Sequence, residues 1–310
     1  MNKISKLFYY LFHKPSVILL WVLEKGWIPI SDEAYLKLWY KSNTGEKLNL
    51  KAPVTYNEKL QWLKLYNHQP IYTTMVDKYA VKRYVSEKVG SQYVIPLLGV
   101  WDSPKEIDYE SLPNQFVLKV THGGGNNGVI VCKDKSKLDK DKVLKTLEYC
   151  MSSDGSIGNK EWPYKNVIRR VIAEEYLEDN TYHELRDYKF FCFDGEPKIM
   201  FIASGRGYLP EPYFDFFDMD FNHLNIKSAH PVSPIDKLPS KPVAWDEMKR
   251  IAEKLSEGLP HVRLDLYEVN GKVYFGEYTF FHWAGCGSFE PKEWEKTLGD
   301  WLTLPTEKII

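Results

Sequence analysis

Residues 261–279 constrain the fold more than any other part of the chain. Two short runs of period-two alternation flank Asn270-Gly271, the strongest short-range signal for a β-hairpin. Each arm carries a carboxylate, Asp265 on one and Glu277 on the other, and the first arm also carries Arg263. Register decides whether they act together. A two-residue turn at Asn270-Gly271 sends Asp265 and Glu277 to opposite faces. A three-residue loop, Val269-Asn270-Gly271 with Gly271 left-handed in a G1 bulge, puts Arg263, Asp265, Glu277 and Thr279 on one face. The second arrangement is the expectation here. Two acids and a hydroxyl gathered there make a hard-oxygen site suited to Mg²⁺, with Arg263 beside it for a phosphoryl or acyl oxygen. An edge hairpin with solvated charges is the competing reading of this segment alone.

At 310 residues the chain can bury a substantial core in two or three associated subdomains. Its formal net charge of −1 leaves no basic footprint, so no nucleic-acid partner is expected. Aromatic residues make up 15%, with 10 Trp and 21 Tyr, which suits stacking on rings, sugars or lipid headgroups as well as a large core. Cys132, Cys150, Cys192 and Cys286 lie far apart without CxxC spacing. That argues against zinc and a disulfide framework and for a reducing cytoplasm. The apolar run over residues 7–23 is interrupted by His13-Lys14-Pro15-Ser16, too short and broken for a bilayer span or a secretory signal. Apolar residues still recur at helical spacing, at Ile4, Leu7, Phe8 and Leu11 and again at Ile18, Leu19 and Val22, accompanied by Lys3, Lys6 and Lys14. Residues 1–24 therefore form either a helix lying peripherally on the inner face of the cytoplasmic membrane, or one docked on its own domain or a partner.

Thr55-Tyr-Asn-Glu58 is a capping box that opens a helix over residues 57–66. A second helix runs from Asp77-Lys78 to Gly90 with Val81, Val85 and Val89 on one stripe. An extended segment follows over 93–98. Strand patterns then cover 116–120, 128–132, 171–175, 188–193 and 198–203, with a helix over 138–150 among them and a turn at Asp194-Gly195. A helix over 245–257 precedes the first hairpin arm.

Residues 116–130 read as strand, glycine-rich loop, strand. Gly123, Gly124 and Gly125 let backbone N–H groups approach phosphate oxygens closely, and Lys119 ends the first strand within reach of the same phosphates. No Gly-Lys-Ser/Thr follows and no helix begins there, so this is not a Walker A loop; glycines joining two strands are not a dinucleotide fingerprint either. A flexible hairpin loop with a lysine nearby is the alternative. At 171–177 a strand ends in Glu174-Glu175-Tyr176-Leu177. It can present a carboxylate and backbone groups to an adenine edge under apolar cover, or simply solvated acids.

Together and in order, Asp77-Lys78, Val117-Leu118-Lys119 with its glycine loop, Glu174-Glu175-Tyr176-Leu177, Asp187-Tyr188-Lys189, Arg263-x-Asp265 and Glu277-x-Thr279 resemble the ATP-grasp superfamily. The closer likeness is to its TupA-like branch, named for teichuronopeptide biosynthesis, and it runs from about residue 48 to the end of the sequence. The resemblance implies an α/β (α+β) ATP-grasp fold: a helical N-terminal region over 1–95, a small central lid subdomain over 96–177, and a larger C-terminal core over 178–310 with a mostly antiparallel sheet. It implies that Lys78 and Lys119 bind phosphates, that Gly123, Gly124 and Gly125 close over a triphosphate, and that Glu174, Glu175 and Leu177 form an adenine hinge. Glu184 would meet the ribose hydroxyls and Lys189 would add a phosphate contact. Asp265 and Glu277 would hold Mg²⁺, and Arg263, with Lys119 and Lys189, would serve the reacting phosphoryl centre. Thr279 stands where most ATP-grasp enzymes carry asparagine. A hydroxyl is a poorer Mg²⁺ ligand, so Thr279 is expected to act through water.

The implied activity is an ATP- and Mg²⁺-dependent carboxylate–amine ligase working through an acylphosphate. The branch's association with cell-surface polysaccharides points to a uronic acid of a capsular or cell-wall glycan, or its precursor, joined to an amino acid or other amine. No Ser-His-Asp or Cys-His arrangement is recognisable, and none is needed. His122 beside the glycine loop and His282-Trp283 past the hairpin each divide between a role in the site and ordinary packing. Three rivals stand: a glycosyltransferase using Asp218-x-Asp220 as its metal motif, a sugar kinase on the ATP-grasp scaffold, and a noncatalytic binding module.

Overall fold

The computed structural model describes residues 15–123, 128–153, 156–181, 184–206 and 209–310. Helices come first: α1 (Pro15–Glu24), α2 (Asp32–Thr44), α3 (Tyr56–Tyr66), α4 (Ile71–Val76) and α5 (Ala80–Val89). There follow β1 (Leu97–Trp101), β2 (Phe116–Val120), β3 (Val129–Cys132), α6 (Lys140–Ser152), the one-turn α7 (Ser156–Asn159) and β4 (Val171–Glu175). The remainder is β5 (Asp187–Phe193), β6 (Glu196–Ser204), β7 (Tyr213–Asp218), α8 (Trp245–Ser256), β8 (His261–Val269), β9 (Lys272–Thr279) and α9 (Glu293–Trp301). The strands form two sheets, ordered β1-β4-β2-β3 and β7-β6-β5-β8-β9. Every ladder within them is antiparallel. This is the mixed α/β architecture expected. β5 is central in the larger sheet and buried along its whole length, with the apolar face of α8 (Trp245, Met248, Ile251, Ala252, Leu255) also buried in the same core.

The hairpin between β8 and β9 reaches the expected common face by an unexpected route. The turn is the tight two-residue one: Val269 pairs with Lys272, and Asn270 and Gly271 both have positive φ. That register alone would separate the acids. An extra residue, Gly276, is inserted between the pairs Leu266–Phe275 and Asp265–Glu277. The bulge shifts the distal half by one residue, so Arg263 faces Thr279 and Asp265 faces Glu277 directly. The three-residue G1 loop is thus replaced by a type I′-like turn and a bulge. Glycine is required at the bulge because a Cβ there would lie 2.9 Å from the Asp265 carbonyl oxygen and 3.0 Å from the Tyr267 ring. Gly276→Ala is expected to cost about 1–3 kcal/mol through this overpacking, measured by urea unfolding. An unchanged midpoint would show that the bulge is soft.

α3 begins with the capping box read from the sequence: Thr55 Oγ1 accepts from the Glu58 N–H at 3.3 Å, and Glu58 Oε2 accepts from the Thr55 N–H at 3.1 Å. Its inner face carries Asn57, Gln61 and Lys64, all buried. They donate to the carbonyls of Gly287 (2.7 Å), Gly285 (2.8 Å) and Ala284 (2.7 Å). The turn they grip contains two successive left-handed non-glycine residues, Trp283 (φ 48°) and Ala284 (φ 53°). Such conformations persist only where surrounding contacts hold them. Those three side chains supply that hold.

His261 lies in the core between α3 and β5. Its Nδ1–H donates to the Cys192 carbonyl and its Nε2 accepts from Tyr56 Oη, each at 2.8 Å. Burial lowers its pKa to about 3. The unfolded chain therefore binds this proton below about pH 6.5 while the native chain does not. Stability contributed by neutral His261 is complete above pH 6.5 and is lost as pH falls towards 3, by at most about 1.4 kcal/mol per pH unit. Urea midpoints between pH 7 and 5 should fall accordingly, and less steeply in His261→Gln. Equal slopes would contradict this.

α1 docks through Leu20 and Leu23, with Glu24 accepting from Tyr35 Oη at 3.0 Å. The expected stripe was Ile18, Leu19 and Val22, but Leu19 is 44% exposed beside exposed Val17 and Trp21. No helix among the described residues is long and apolar enough to cross a membrane. Residues 1–14 lie outside the described residues.

Candidate active site

The two sheets frame a cleft with two connected parts. One is a cavity of about 550 Å³ lined by five cations, Lys78, Lys119, Lys189, Arg206 and Arg263, and four carboxylates, Glu161, Asp187, Asp265 and Glu277. The other is a slot of about 380 Å³ lined by Ile95, Val117, Val131, Leu177 and Tyr267 together with Glu174, Glu175 and Glu184. Lys119, Val129, Arg206 and Tyr267 border both. An apolar slot opening onto a cationic chamber suits a flat ring carrying a chain of phosphates.

Arg263 organises the chamber. Its Nε and Nη2 fork onto the two oxygens of Asp265 at 2.7 and 2.8 Å. Nη2 also reaches Thr279 Oγ1 at 2.9 Å and Glu277 Oε1 at 3.3 Å, and Nη1 donates to His282 Nδ1 at 2.9 Å. Asp265 is further bound by Lys189, its direct partner across β5 and β8. Burial opposes ionisation of Asp265, but Arg263 and Lys189 outweigh it and hold the carboxyl well below the usual carboxylate range. Burial lowers the Lys189 ammonium, partly offset by Asp265.

On the other sheet, Lys119 pairs with Glu174 Oε2 at 2.5 Å, and Lys82 pairs with Glu174 Oε1 at 2.5 Å. Burial pushes Glu174 up, yet the two lysines keep it below its ordinary value. Both of its oxygens are thus occupied, and it anchors the lysines as well as lining the slot. Glu184 likewise lines the slot while accepting from Arg186 Nε at 2.9 Å and the Gly205 N–H at 2.7 Å. Glu175 is exposed at the slot's rim, and Leu177 contributes apolar wall. Lys78 donates to the Gly123 carbonyl at 2.6 Å, and burial lowers its pKa. Gly123 has φ +107° with open space where a Cβ would stand; Gly124 and Gly125 lie outside the described residues.

Asp265, Glu277 and Thr279 share one face, and Glu277 Oε2 accepts no hydrogen bond among the described residues. No cluster of three or more His, Cys, Asp and Glu side chains is gathered there among the described residues. Two carboxylates without a closed cage are the donor set that Mg²⁺ takes when phosphates complete its shell, so the residues fit that ion.

Several participants escaped the sequence reading. Lys82 stands four residues after Lys78, a helical spacing that was there to be seen. Arg206, bound to Asp187, follows β6 without a local pattern. Glu161 belongs to a loop between helices. His122 is buried just past the end of β2, with Nε2 3.3 Å from the Ser153 carbonyl oxygen, and borders neither part of the cleft. His282 is buried and lines the chamber while accepting from Arg263, and Trp283, 47% exposed, walls the same chamber. Asp218 of the Asp-x-Asp motif spends its carboxylate on the Asp220 and Asn222 N–H groups and Asn222 Nδ2, at 2.8–3.0 Å. It closes a turn away from the cleft.

The TupA-like ATP-grasp family model matches residues 58–303. Among solved structures the chain is similar to D-alanine–D-alanine ligase from Bacillus anthracis (15% identity, 66% of this chain and 57% of that one, TM-score 0.39). It is also similar to the ligase of the same name from Helicobacter pylori (14%, 74% and 61%, 0.41). A third is the RimK domain ATP-grasp protein of Sphaerobacter thermophilus (10%, 76% and 70%, 0.41). The chain thus spans about three-fifths of the length of the two D-alanine–D-alanine ligases. No curated protein sequence matches it.

Proposed function

The chain belongs to the TupA-like ATP-grasp family, and from that premise we propose that it is an ATP- and Mg²⁺-dependent carboxylate–amine ligase. The observation that carries this reading is the Arg263–Asp265–Glu277–Thr279 face meeting Lys78, Lys119 and Lys189 in one chamber that opens onto an apolar slot. In this account the base occupies the slot, and Lys119 and Arg206 meet the phosphates where slot and chamber join. Asp265 and Glu277 would hold Mg²⁺, with Thr279 acting through water, and the ion would supply positive charge against the phosphates. A substrate carboxylate attacks the γ-phosphorus as the bridging bond to ADP breaks. An amine then forms the C–N bond as the acyl C–O bond to phosphate breaks. Arg263 steadies the oxygens on which charge develops, and the rest is positioning.

The acid we propose is a uronic acid of a cell-surface glycan or its precursor, joined to an amino acid or other amine. Trp283 supports this: half exposed, it offers the chamber a flat apolar face 6.1 Å from the His230 ring, a surface suited to a sugar. Purified protein with ATP, Mg²⁺ and mixed uronates and amino acids should release ADP and a conjugate lighter than its parts by one water, read by mass spectrometry. A phosphorylated sugar without conjugate would make it a kinase instead.

We place the enzyme in the cytoplasm, touching the membrane's inner face through residues 1–24; exposed Val17, Leu19 and Trp21 on α1 support that contact. Deleting residues 1–24 should cut co-sedimentation with anionic liposomes several-fold, and unchanged binding would remove the membrane contact.

A further inference from the structure

Three of the four chamber carboxylates are neutralised by neighbouring cations. Asp265 pairs with Arg263 and Lys189, Asp187 with Arg206 and Lys189, and Glu277 with Arg263. Glu161 is different. Among the described residues it has no Lys, Arg or His within ion-pair distance, although it is half-buried. Its position is nonetheless fixed. Oε1 accepts from Asn159 Nδ2 at 2.8 Å, and its backbone N–H donates to Asn159 Oδ1 at 3.2 Å. Lys64, a buried cation on α3, spends its donors on the carbonyls of Asn159 (2.8 Å) and Ala284 (2.7 Å) and reaches Glu161 only by longer-range attraction. Next to Glu161, Trp162 stacks on His68 at 4.5 Å and on Tyr72 at 5.9 Å, which locks the segment against α4. Glu161 and Tyr164 border the reaction chamber, while Lys160, Trp162 and Lys165 border a separate cavity on the segment's other side.

A half-buried carboxylate with no cation in contact gains when one arrives. Resting on the ligase reading above, we propose that Glu161 binds the amine substrate: the ammonium group of a primary amine pairs with it and leaves a proton on that carboxylate to become the free amine that attacks, in the same chamber where Arg263 receives the acid. The chamber then sorts its two substrates by charge, carboxylate to the guanidinium and ammonium to the one unpaired acid. Burial pushes the Glu161 carboxyl up, and Lys64 and Arg263 only partly pull it back, as expected of an acid still lacking its cation.

Hydroxylamine is an uncharged nucleophile near neutral pH and has no use for an anionic anchor. With ATP, Mg²⁺ and glucuronate, the Glu161→Gln protein should form the hydroxamate within about twofold of wild type. With glycinamide in place of hydroxylamine its KM for the amine should rise at least tenfold. Asn159→Ala, which loosens the carboxylate but keeps its charge, should raise the same KM by a smaller factor. An unchanged KM in Glu161→Gln, a parallel loss of hydroxamate, or a wild type that accepts hydroxylamine and refuses glycinamide each overturns the assignment. A wild type that makes no hydroxamate from glucuronate or from other carboxylates overturns the ligase reading itself, and the assignment falls with it.

Discussion

Glu277→Gln should lower ATP turnover by about 10²–10³-fold while leaving the urea midpoint close to wild type. The two halves of that expectation have separate causes. Glu277 is 29% exposed and its contacts are long, 3.3 Å to Arg263 Nη2 and 3.4 Å to Thr279 Oγ1. An amide oxygen satisfies both, so little folding energy is at stake. What glutamine lacks is the negative charge that a hard divalent cation requires. The Mg²⁺ concentration for half-maximal turnover should rise together with the loss of rate. Full turnover in Glu277→Gln would remove this residue from the metal site.

Arg263→Met should be damaging on both counts. The Arg263 side chain is 11% exposed and serves Asp265, Glu277, Thr279 and His282 at once. Its removal leaves Asp265 with Lys189 alone, and leaves His282 with no partner at Nδ1. Stranding one member of a buried ion pair costs about 3–5 kcal/mol, and turnover should vanish with the acyl-centre cation. Arg263→Lys should recover little, because an ammonium cannot fork onto both oxygens of Asp265. Urea unfolding and ADP release measure the two effects. A variant as stable as wild type would show that the Asp265 network contributes no stability.

Much of the site was legible because its parts are local. The acids on β8 and β9 lie either side of a turn that Asn270-Gly271 announces, and Lys119 ends a strand beside its glycines. The register was misread in its mechanism because the decisive residue, Gly276, was passed over. A lone glycine inside a strand pattern is itself a bulge signal, and its carbonyl-facing Cβ position explains it. β7 was missed because Phe214-Asp215-Phe216-Phe217 breaks alternation: Asp215 is fully buried and bound by Ser233 Oγ at 2.7 Å. Glu161 was invisible for a different reason. Its significance is a missing contact partner, and only packing among α3, α4 and the segment after α7 reveals that Lys64 donates to backbone carbonyls and not to Glu161.

Magnesium-dependent nucleotide binding tests the central claim most directly, by calorimetric titration of ATP into wild type and Lys119→Ala. Lys82 still neutralises Glu174 when Lys119 is removed, so the variant should fold. Wild type should bind one ATP with Mg²⁺ and much more weakly in EDTA, and Lys119→Ala should lose at least about tenfold in affinity, or 1.4 kcal/mol. No binding by wild type, or an affinity indifferent to both the metal and Lys119, would contradict the account.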